Sequence, residues 1–419
     1  MDRFRLFADE VGTAALCRTP LGGLKTELLN SQNFSRILLI KPSALGDVVH
    51  TIPVLPKLRR RFPTAQIDWL ITPENAGLVR HHPDLSNVVL FDRRKFAQLG
   101  RNWTATIELL RLLRQLQRAR YDLVIDLHGQ MRSALITLAT GASVRVGFDR
   151  PIRRTRPASG HHSLRNFPRH GWTGAREGSW IAYTHRIPIS TLDVHAIDRY
   201  LWLTPILGLN DFPIDSRIYL SAEIEAAAQR LLEQYALQQF GALVPGTLWE
   251  TKHWHPERFA EVGQWLKKQG FDVVVLGSKR DRRRCEQITR LCRGAIDFSG
   301  QTTPAELAAI VKRAAVCVTN DSGAMHLAVA LDRPVVSVFG PTNPVQIGPY
   351  DRPQAVVRAD LPCSPCNFRR LSQCPHGHAC MTHVSATIVI ERVESALRAN
   401  SSPPSCPHAA ASEVSHLPT

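Results

Sequence analysis

No run of about 18 uninterrupted apolar residues occurs in this 419-residue chain, so no segment is built to span a bilayer as a helix. The N-terminus places acidic Asp9 and Glu10 ahead of a short apolar patch, Val11 to Cys17, which argues against a secretory signal. A cytoplasmic setting is the expectation, and there nine cysteines are read as thiols or metal ligands rather than disulfides. Acidic residues are scarce relative to basic ones, 36 against 52, and the net charge of +16 calls for an anionic partner. No helix-turn-helix, zinc-finger or RNP-type pattern accompanies that charge, so nucleic acid is not the expected partner.

What is present is length and order. The chain is too long for one ordinary core and fits two domains of roughly 150–200 residues each. Residues 1–35 read as an amphipathic lead-in. From Arg36 an apolar strand, Ile37 to Ile40, opens a βα alternation with strands at Ile67 to Ile71, Val88 to Phe91 and Leu123 to Asp126, and a helix over Thr106 to Arg118. This first unit is assigned 36–210 and ends in a helix near Val194 to Leu207. A linker, Gly208 to Tyr219, follows. The second unit, 211–399, repeats the alternation, with strands at Gly241 to Val244 and Val273 to Leu276 and helices at Ala222 to Gln238, Pro256 to Gln269 and Thr303 to Ala314. The fold class is therefore α/β, with two Rossmann-like domains whose parallel sheets face a central cleft. Residues 400–419, rich in Ser, Pro and Ala, have the composition of a disordered tail.

One stretch is denser in information than the rest: VCVTNDSGAMHLAVALDRPVVSVFGPTNP, Val316 to Pro344. A buried strand breaks into Asn320-Asp321-Ser322-Gly323, a helix opens at Ala324, and a second strand runs Pro334 to Phe339. The loop lies at the carboxyl end of a parallel strand, where open α/β sheets bind ligands. Unpaired amides of a helix start, beside a small Ser-Gly pair, let a phosphate come close. The alternative is an ordinary N-capped helix with Asp321 or Ser322 as the cap.

Four further features carry charge or metal-binding groups. In ILLIKPSALGDVVHT, Ile37 to Thr51, Gly46 lets the backbone swing close and Asp47 stands at a helix entrance. A carboxylate there is either a general base toward a bound hydroxyl or a plain helix-terminal acid; the helix start favours its ionised form, and burial works the other way. Lys252 follows the strand end Val244-Pro245-Gly246-Thr247 and either reaches the cleft or lies on the surface. Between Arg145 and Arg186 stand nine arginines, no lysine and two acids, Asp149 and Glu177, read either as an oxyanion-binding loop or as a solvated basic face. Cys363-x2-Cys366, Cys374 and Cys380 enclose a short basic loop, 363–380; the first pair has zinc-ligand spacing, with free thiols or a disulfide as the alternative.

Taken in order, ILLIKPSALGDVVHTIPVLPKLRRRFP, PGTLWETKHWHPERFAEV and NDSGAMHLAVALDRPVVSVFGPTNP resemble glycosyltransferase family 9, the ADP-heptose:lipopolysaccharide heptosyltransferases. VIDLHGQMRSALITLATGASVRVGFDR and HAIDRYLWL resemble the family too, and the likeness runs from about Arg36 to Leu397. It implies a GT-B enzyme, metal-independent and inverting, that moves a heptose from an ADP-sugar to the Kdo or heptose of the lipopolysaccharide inner core, in peripheral contact with the inner face of the inner membrane. By position, Asp47 matches the family's proposed base, Lys252 its diphosphate-binding lysine and Asp321 a donor-sugar contact. Thr247, Ser322, Gly323 and His326 fall in the phosphate-facing region. Ser43, Gly46, Arg153, Arg154 and Arg156 are expected on the acceptor side. No Asp-x-Asp pair of the kind that holds a catalytic cation is present, so no cofactor is expected beyond the structural zinc that the four cysteines would hold. Another nucleotide-sugar and glycan acceptor within the family, or a GT-B nucleotide-sugar epimerase, are the competing expectations.

Overall fold

The structure, a computed structural model, describes residues 29–96, 102–152, 172–209 and 213–401. Two six-stranded sheets organise it. The first holds β1 (Arg36–Ile40), β2 (Gln66–Ile71), β3 (Asn87–Leu90), β4 (Leu123–Asp126), β5 (Val144–Phe148) and β6 (His185–Ile187) in the order 3-2-1-4-5-6. The second holds β7 (Phe240–Val244), β8 (Asp272–Val275), β9 (Ile296–Asp297), β10 (Val316–Asn320), β11 (Val335–Phe339) and β12 (Val356–Arg358) in the order 9-8-7-10-11-12. Every strand pair in both sheets is parallel. Counted from its own first strand, the second sheet repeats the order of the first, the order of dinucleotide-binding folds.

The strands are apolar throughout because both faces are covered. Along β1, Ile37 and Leu39 point into one core and Leu38 and Ile40 into another. In the second sheet, Val316 and Val318 join one core while Cys317 joins the other. Reversal of strand order falls between β1 and β4 in the first sheet and between β7 and β10 in the second, which makes the loops at their carboxyl ends the expected ligand sites.

The two units share apolar surface. Ala305, Ala308 and Leu327 belong to the same core cluster as the first sheet. A Cβ at Gly77 would come within 2.9 Å of that of Ala305. The halves are thus packed against each other below the crevice.

Several elements differ from the sequence reading. The helix expected over Val194 to Leu207 is two short ones, Ala196–Leu201 and Thr204–Leu207, split just ahead of Pro205, which has no N–H to continue the first. β5 and β6 lie in the arginine-rich window, and a 3₁₀ turn at Ser179–Ala182 precedes β6. The guanidinium groups that bound that window are structural. Arg145 donates to the carbonyls of Ala182 (2.8 Å) and Ala142 (2.5 Å), and Arg186 donates to that of Trp180 (3.1 Å). The C-terminal helix Ala386–Ser401 packs on the second sheet; the tail beyond it and most of the lead-in lie outside the described residues.

Candidate active site

Two helix starts meet across the crevice. The loop after β1 leads into α1 (Leu45–Thr51), and the loop after β10 leads into α3 (Gly323–Ala330), with α2 (Ala196–Leu201) flanking α1. α1 and α3 pack directly, and each uses a glycine to do so. A Cβ on Gly46 would stand 2.6 Å from Cδ2 of His326, and one on Gly323 would stand 2.7 Å from Cδ2 of Leu45. Any larger residue at either position would push the helices apart.

On the first side, Asp47 lies in the first turn of α1 with its side chain 42% exposed. Its Oδ1 accepts a 2.8 Å hydrogen bond from the Tyr200 hydroxyl on α2, and its Oδ2 accepts from the amide of Ala44 at 3.3 Å. The Lys41 ammonium, buried at the end of β1, donates to the carbonyl of Leu127 at 3.0 Å and stands 3.8 Å from Asp47 Oδ1. Partial burial raises the carboxyl pKa of Asp47, but Lys41, Tyr200 and the Ala44 amide outweigh it and hold the group below its ordinary value. Burial, together with the Asp47 charge, pushes the Tyr200 phenol well up, so it stays a donor. Asp47 is therefore ionised and aimed.

On the second side, Asp321 is buried and its Oδ2 takes the Lys252 ammonium at 2.6 Å and the Thr342 hydroxyl at 2.5 Å. The Asp321 carbonyl accepts from the Thr247 hydroxyl at 3.1 Å. Lys252 also lies 4.3 Å from the Trp249 ring centre. Ser322 precedes α3 in extended conformation and does not cap it; its hydroxyl oxygen is buried without a hydrogen-bond partner. Beside it the first-turn amides of α3 have no intrahelical acceptor. Open amides, an orphaned hydroxyl and a lysine are a suitable cradle for a phosphate.

The structure thus gathers Asp47, Thr247, Lys252, Asp321, Ser322, Gly323, Gly46 and His326 at one crevice. The His326 imidazole senses both sides: burial pushes it down to about 4, while the Asp321 and Asp47 carboxylates each pull the other way. His326 does not turn to the phosphate cradle. Its Nδ1 bonds across the interface to Nε2 of His50 at 2.9 Å, and Gly46 is the gap its ring fills.

Ser43 lines a small cleft on the far side of Asp47, together with Phe91, Arg93, His128, Arg132 and Ser133. This cleft is basic and sits at the carboxyl ends of β1, β3 and β4. Asp126 shapes it from below, accepting the amides of His128 (2.9 Å) and Gly129 (3.1 Å) and the Tyr183 hydroxyl (2.8 Å). Arg153, Arg154 and Arg156 lie outside the described residues. A larger cavity of about 480 Å³ lies elsewhere, between the C-terminal helix and the amino end of β11, and reaches none of these loops.

The zinc reading gains no support. Cys363, Cys366, Cys374 and Cys380 are free thiols, and among the described residues no group of three or more His, Cys, Asp or Glu is placed to hold a metal ion. Cys380 is drawn into the core beneath β11, with its Sγ 3.0 Å from where a Gly340 Cβ would be, whereas the other three stay half-exposed on the loop. Burial pushes the Cys380 thiol up to about 12.

Sequence reasoning gave no role to Lys41, His50, His195, Arg132 or Tyr200. The signal for Tyr200 was faint. HAIDRYLWL sets Asp198, Arg199 and Tyr200 in succession in a short, largely buried helix, yet nothing in its spacing names Asp47, 153 residues away, as the partner.

Two Rossmann-type sheets whose switch points meet over one crevice, with a carboxylate on one side and a buried lysine beside open helix-start amides on the other, are the frame of a glycosyltransferase of GT-B architecture. The chain belongs to glycosyltransferase family 9 (heptosyltransferase), whose model matches residues 109–165 and 158–376. It is 29% identical over 332 residues to lipopolysaccharide heptosyltransferase 1 of Pseudomonas aeruginosa, covering 79% of this chain and 86% of that protein. To the Escherichia coli protein of the same name it is 26% identical over 330 residues, covering 77% of this chain and 93% of that one. Among solved structures it resembles a glycosyl transferase family 9 protein from Veillonella parvula, with a TM-score of 0.70, 22% identity and coverage of 88% and 99%. The Escherichia coli heptosyltransferase WaaC with ADP-2-deoxy-2-fluoro heptose gives a TM-score of 0.63, 23% identity and coverage of 86% and 99%.

Proposed function

We propose that this enzyme transfers a heptose from ADP-L-glycero-D-manno-heptose to a Kdo or heptose hydroxyl of the lipopolysaccharide inner core, with inversion at the anomeric carbon. The observation that carries the reading is the packing of α1 on α3, which brings Asp47 and the Asp321–Lys252 pair into one crevice. The names of the relatives supply the donor and the acceptor.

The steps follow from the side chains. The Asp47 carboxylate takes the proton of the acceptor hydroxyl as that oxygen attacks the anomeric carbon from the face opposite the diphosphate. The carbon–oxygen bond to the diphosphate breaks through an oxocarbenium-like state, and its electron pair leaves with ADP. Lys252 and the first-turn amides of α3 meet the negative charge that gathers on the departing group. Asp321 holds Lys252 at that place. On the acceptor side, Arg93 and Arg132 line the cleft next to Asp47 and suit a carboxylate or phosphate of the inner core. Because that acceptor is carried by a membrane lipid, the enzyme works in peripheral contact with the inner face of the inner membrane, from the cytoplasm.

Product analysis with ADP-heptose and heptose-free lipopolysaccharide tests the reading, comparing wild type with Asp47→Ala. The variant is expected to bind ADP as wild type does and to lose roughly 10²–10⁴-fold in turnover. Equal turnover would remove Asp47 from the mechanism. Release of free sugar or an epimer without acceptor would favour epimerase chemistry instead, and transfer from a different nucleotide-sugar alone would keep the family but change the donor.

A further inference from the structure

The helix Met131–Ala139 has two unlike faces. Arg132, Ser133 and Ile136 line the basic cleft beside Asp47, whereas Met131, Leu135 and Leu138 are exposed. The latter spacing, i, i+4 and i+7, places them on one stripe. Ile181, 75% exposed on the neighbouring 3₁₀ turn, continues the stripe: a Cβ on Gly178 would lie 3.5 Å from Cε of Met131 and 3.9 Å from Cδ1 of Ile181. Leu135 is 58% exposed. Trp103, 78% exposed, opens the adjoining helix Trp103–Arg118 at the same, carboxyl end of the sheet. Single exposed apolar residues are ordinary, but a contiguous group beside a binding cleft marks an interaction surface.

The rim of the group is basic. Arg132, on the same helix, and Arg176, next to Glu177, are exposed beside it, and Glu177, the nearby acid, is tied to the Met131 amide at 3.1 Å. A second copy of this chain would set those arginines against one another across a two-fold contact. A bilayer with anionic headgroups meets both features at once, taking the apolar side chains below its headgroups and the arginines at its charged surface. No helix among the described residues is long and apolar enough to cross a membrane, so the contact is with the surface.

We infer that the stripe Met131, Leu135, Leu138 and Ile181 is the surface by which this enzyme sits on an anionic bilayer. The inference rests on the reading above of a lipid-borne acceptor, and it adds the consequence of geometry. One helix touches lipid with one face and the acceptor cleft with the other, so a sugar chain rising from the membrane enters the cleft beside Asp47.

The test uses the full chain, with vesicles of phosphatidylethanolamine and phosphatidylglycerol against vesicles of phosphatidylcholine. Wild type is expected to co-sediment with the anionic vesicles and to lose that binding in high salt. Leu135→Gln/Leu138→Gln/Ile181→Gln should bind them about tenfold more weakly, keep its Tm, and turn over a soluble, deacylated acceptor at the wild-type rate. Its rate on acceptor embedded in vesicles should fall by a similar factor. Equal vesicle binding by the two proteins would overturn the inference, as would a wild-type dimer in sedimentation equilibrium that the variant converts to monomer. If neither protein transfers heptose to the soluble acceptor, the functional reading fails while vesicle binding still decides the surface.

Discussion

The Tyr200 hydroxyl donates a 2.8 Å hydrogen bond to Oδ1 of Asp47, the oxygen that also faces the Lys41 ammonium at 3.8 Å. The phenol comes from α2 and the carboxylate from α1, so the ionisation of the base depends on how these two helices pack. A hydrogen bond to the charged form favours that form, and burial opposes it.

Tyr200→Phe removes this donor with little change of shape. The bond is worth about 1 kcal/mol, so the Asp47 pKa should rise by somewhat under one unit. The acid limb of the kcat/KM profile should then move to higher pH by that amount, with the plateau above it nearly kept. A profile superimposable on wild type would show that Tyr200 does not govern Asp47.

Lys252 and Asp321 form a close buried pair, 2.6 Å apart with side chains 11% and 4% exposed. Truncating one partner leaves the other charge uncompensated, a loss of about 3–5 kcal/mol in stability. Lys252→Ala should lower Tm and also cut kcat by about 10²-fold, through loss of one preorganised donor to the diphosphate. Lys252→Met/Asp321→Asn separates the two effects. It should regain most of the Tm, because no charge is stranded, and none of the turnover. Recovery of turnover in the double variant would show that neither residue serves the donor.

Much of this was legible in the sequence, and the boundary of legibility has a physical cause. β1, β7, β10 and β11 are buried on both faces, so their apolar runs announce themselves. β5 and β6 were hidden because Gly147 and His185 interrupt short strands, as do Arg145 and Arg186, whose guanidinium partners are backbone carbonyls. Asp47, Lys252 and Asp321 follow strand ends, the one place where topology alone tells a side chain where to stand. Tyr200 and His50 gain their roles from contacts 153 and 276 residues away, which no local pattern encodes. The cysteines mark another limit: their spacing suits zinc, but it does not tell that Cys380 alone of the four is buried in the core.

The glycine at 46 is the more exacting of the two contact glycines, because what it faces is an imidazole held by a hydrogen bond. Gly46→Ala puts a methyl where His326 Cδ2 stands 2.6 Å away, so α1 and α3 must separate. Asp47 would then withdraw from the Asp321 side, and kcat should fall by at least tenfold with ADP affinity nearly kept, since the phosphate cradle lies wholly on the second unit. Gly46→Ala/His326→Ala relieves the clash and should recover part of the rate. Equal rates for the single and double variants would remove the steric explanation.

His50, His195 and His326 form a buried group at the interface of the two units. His50 and His326 are joined at 2.9 Å, the His195 ring centre lies 5.2 Å from that of His50, and Nε2 of His195 bonds the Gly348 carbonyl at 3.0 Å. Burial pushes His326 down to about 4, His195 down to about 3 and His50 well below its ordinary value. Arg199 and Lys41 also oppose protonation of His50, whereas Asp321 and Asp47 favour protonation of His326 without overcoming burial. The folded protein therefore binds fewer protons than the unfolded chain once pH drops below about 6.5, and stability falls with pH through the window down to about 4. His326 alone contributes on the order of 3 kcal/mol across that window, since each pH unit crossed costs about 1.4 kcal/mol. Urea unfolding at neutral pH and at about pH 5 should show this loss. In His50→Leu/His326→Leu, which replaces both hydrogen-bond partners with apolar groups, the loss should be markedly smaller. An unchanged pH slope in that variant would place the acid sensitivity elsewhere in the protein.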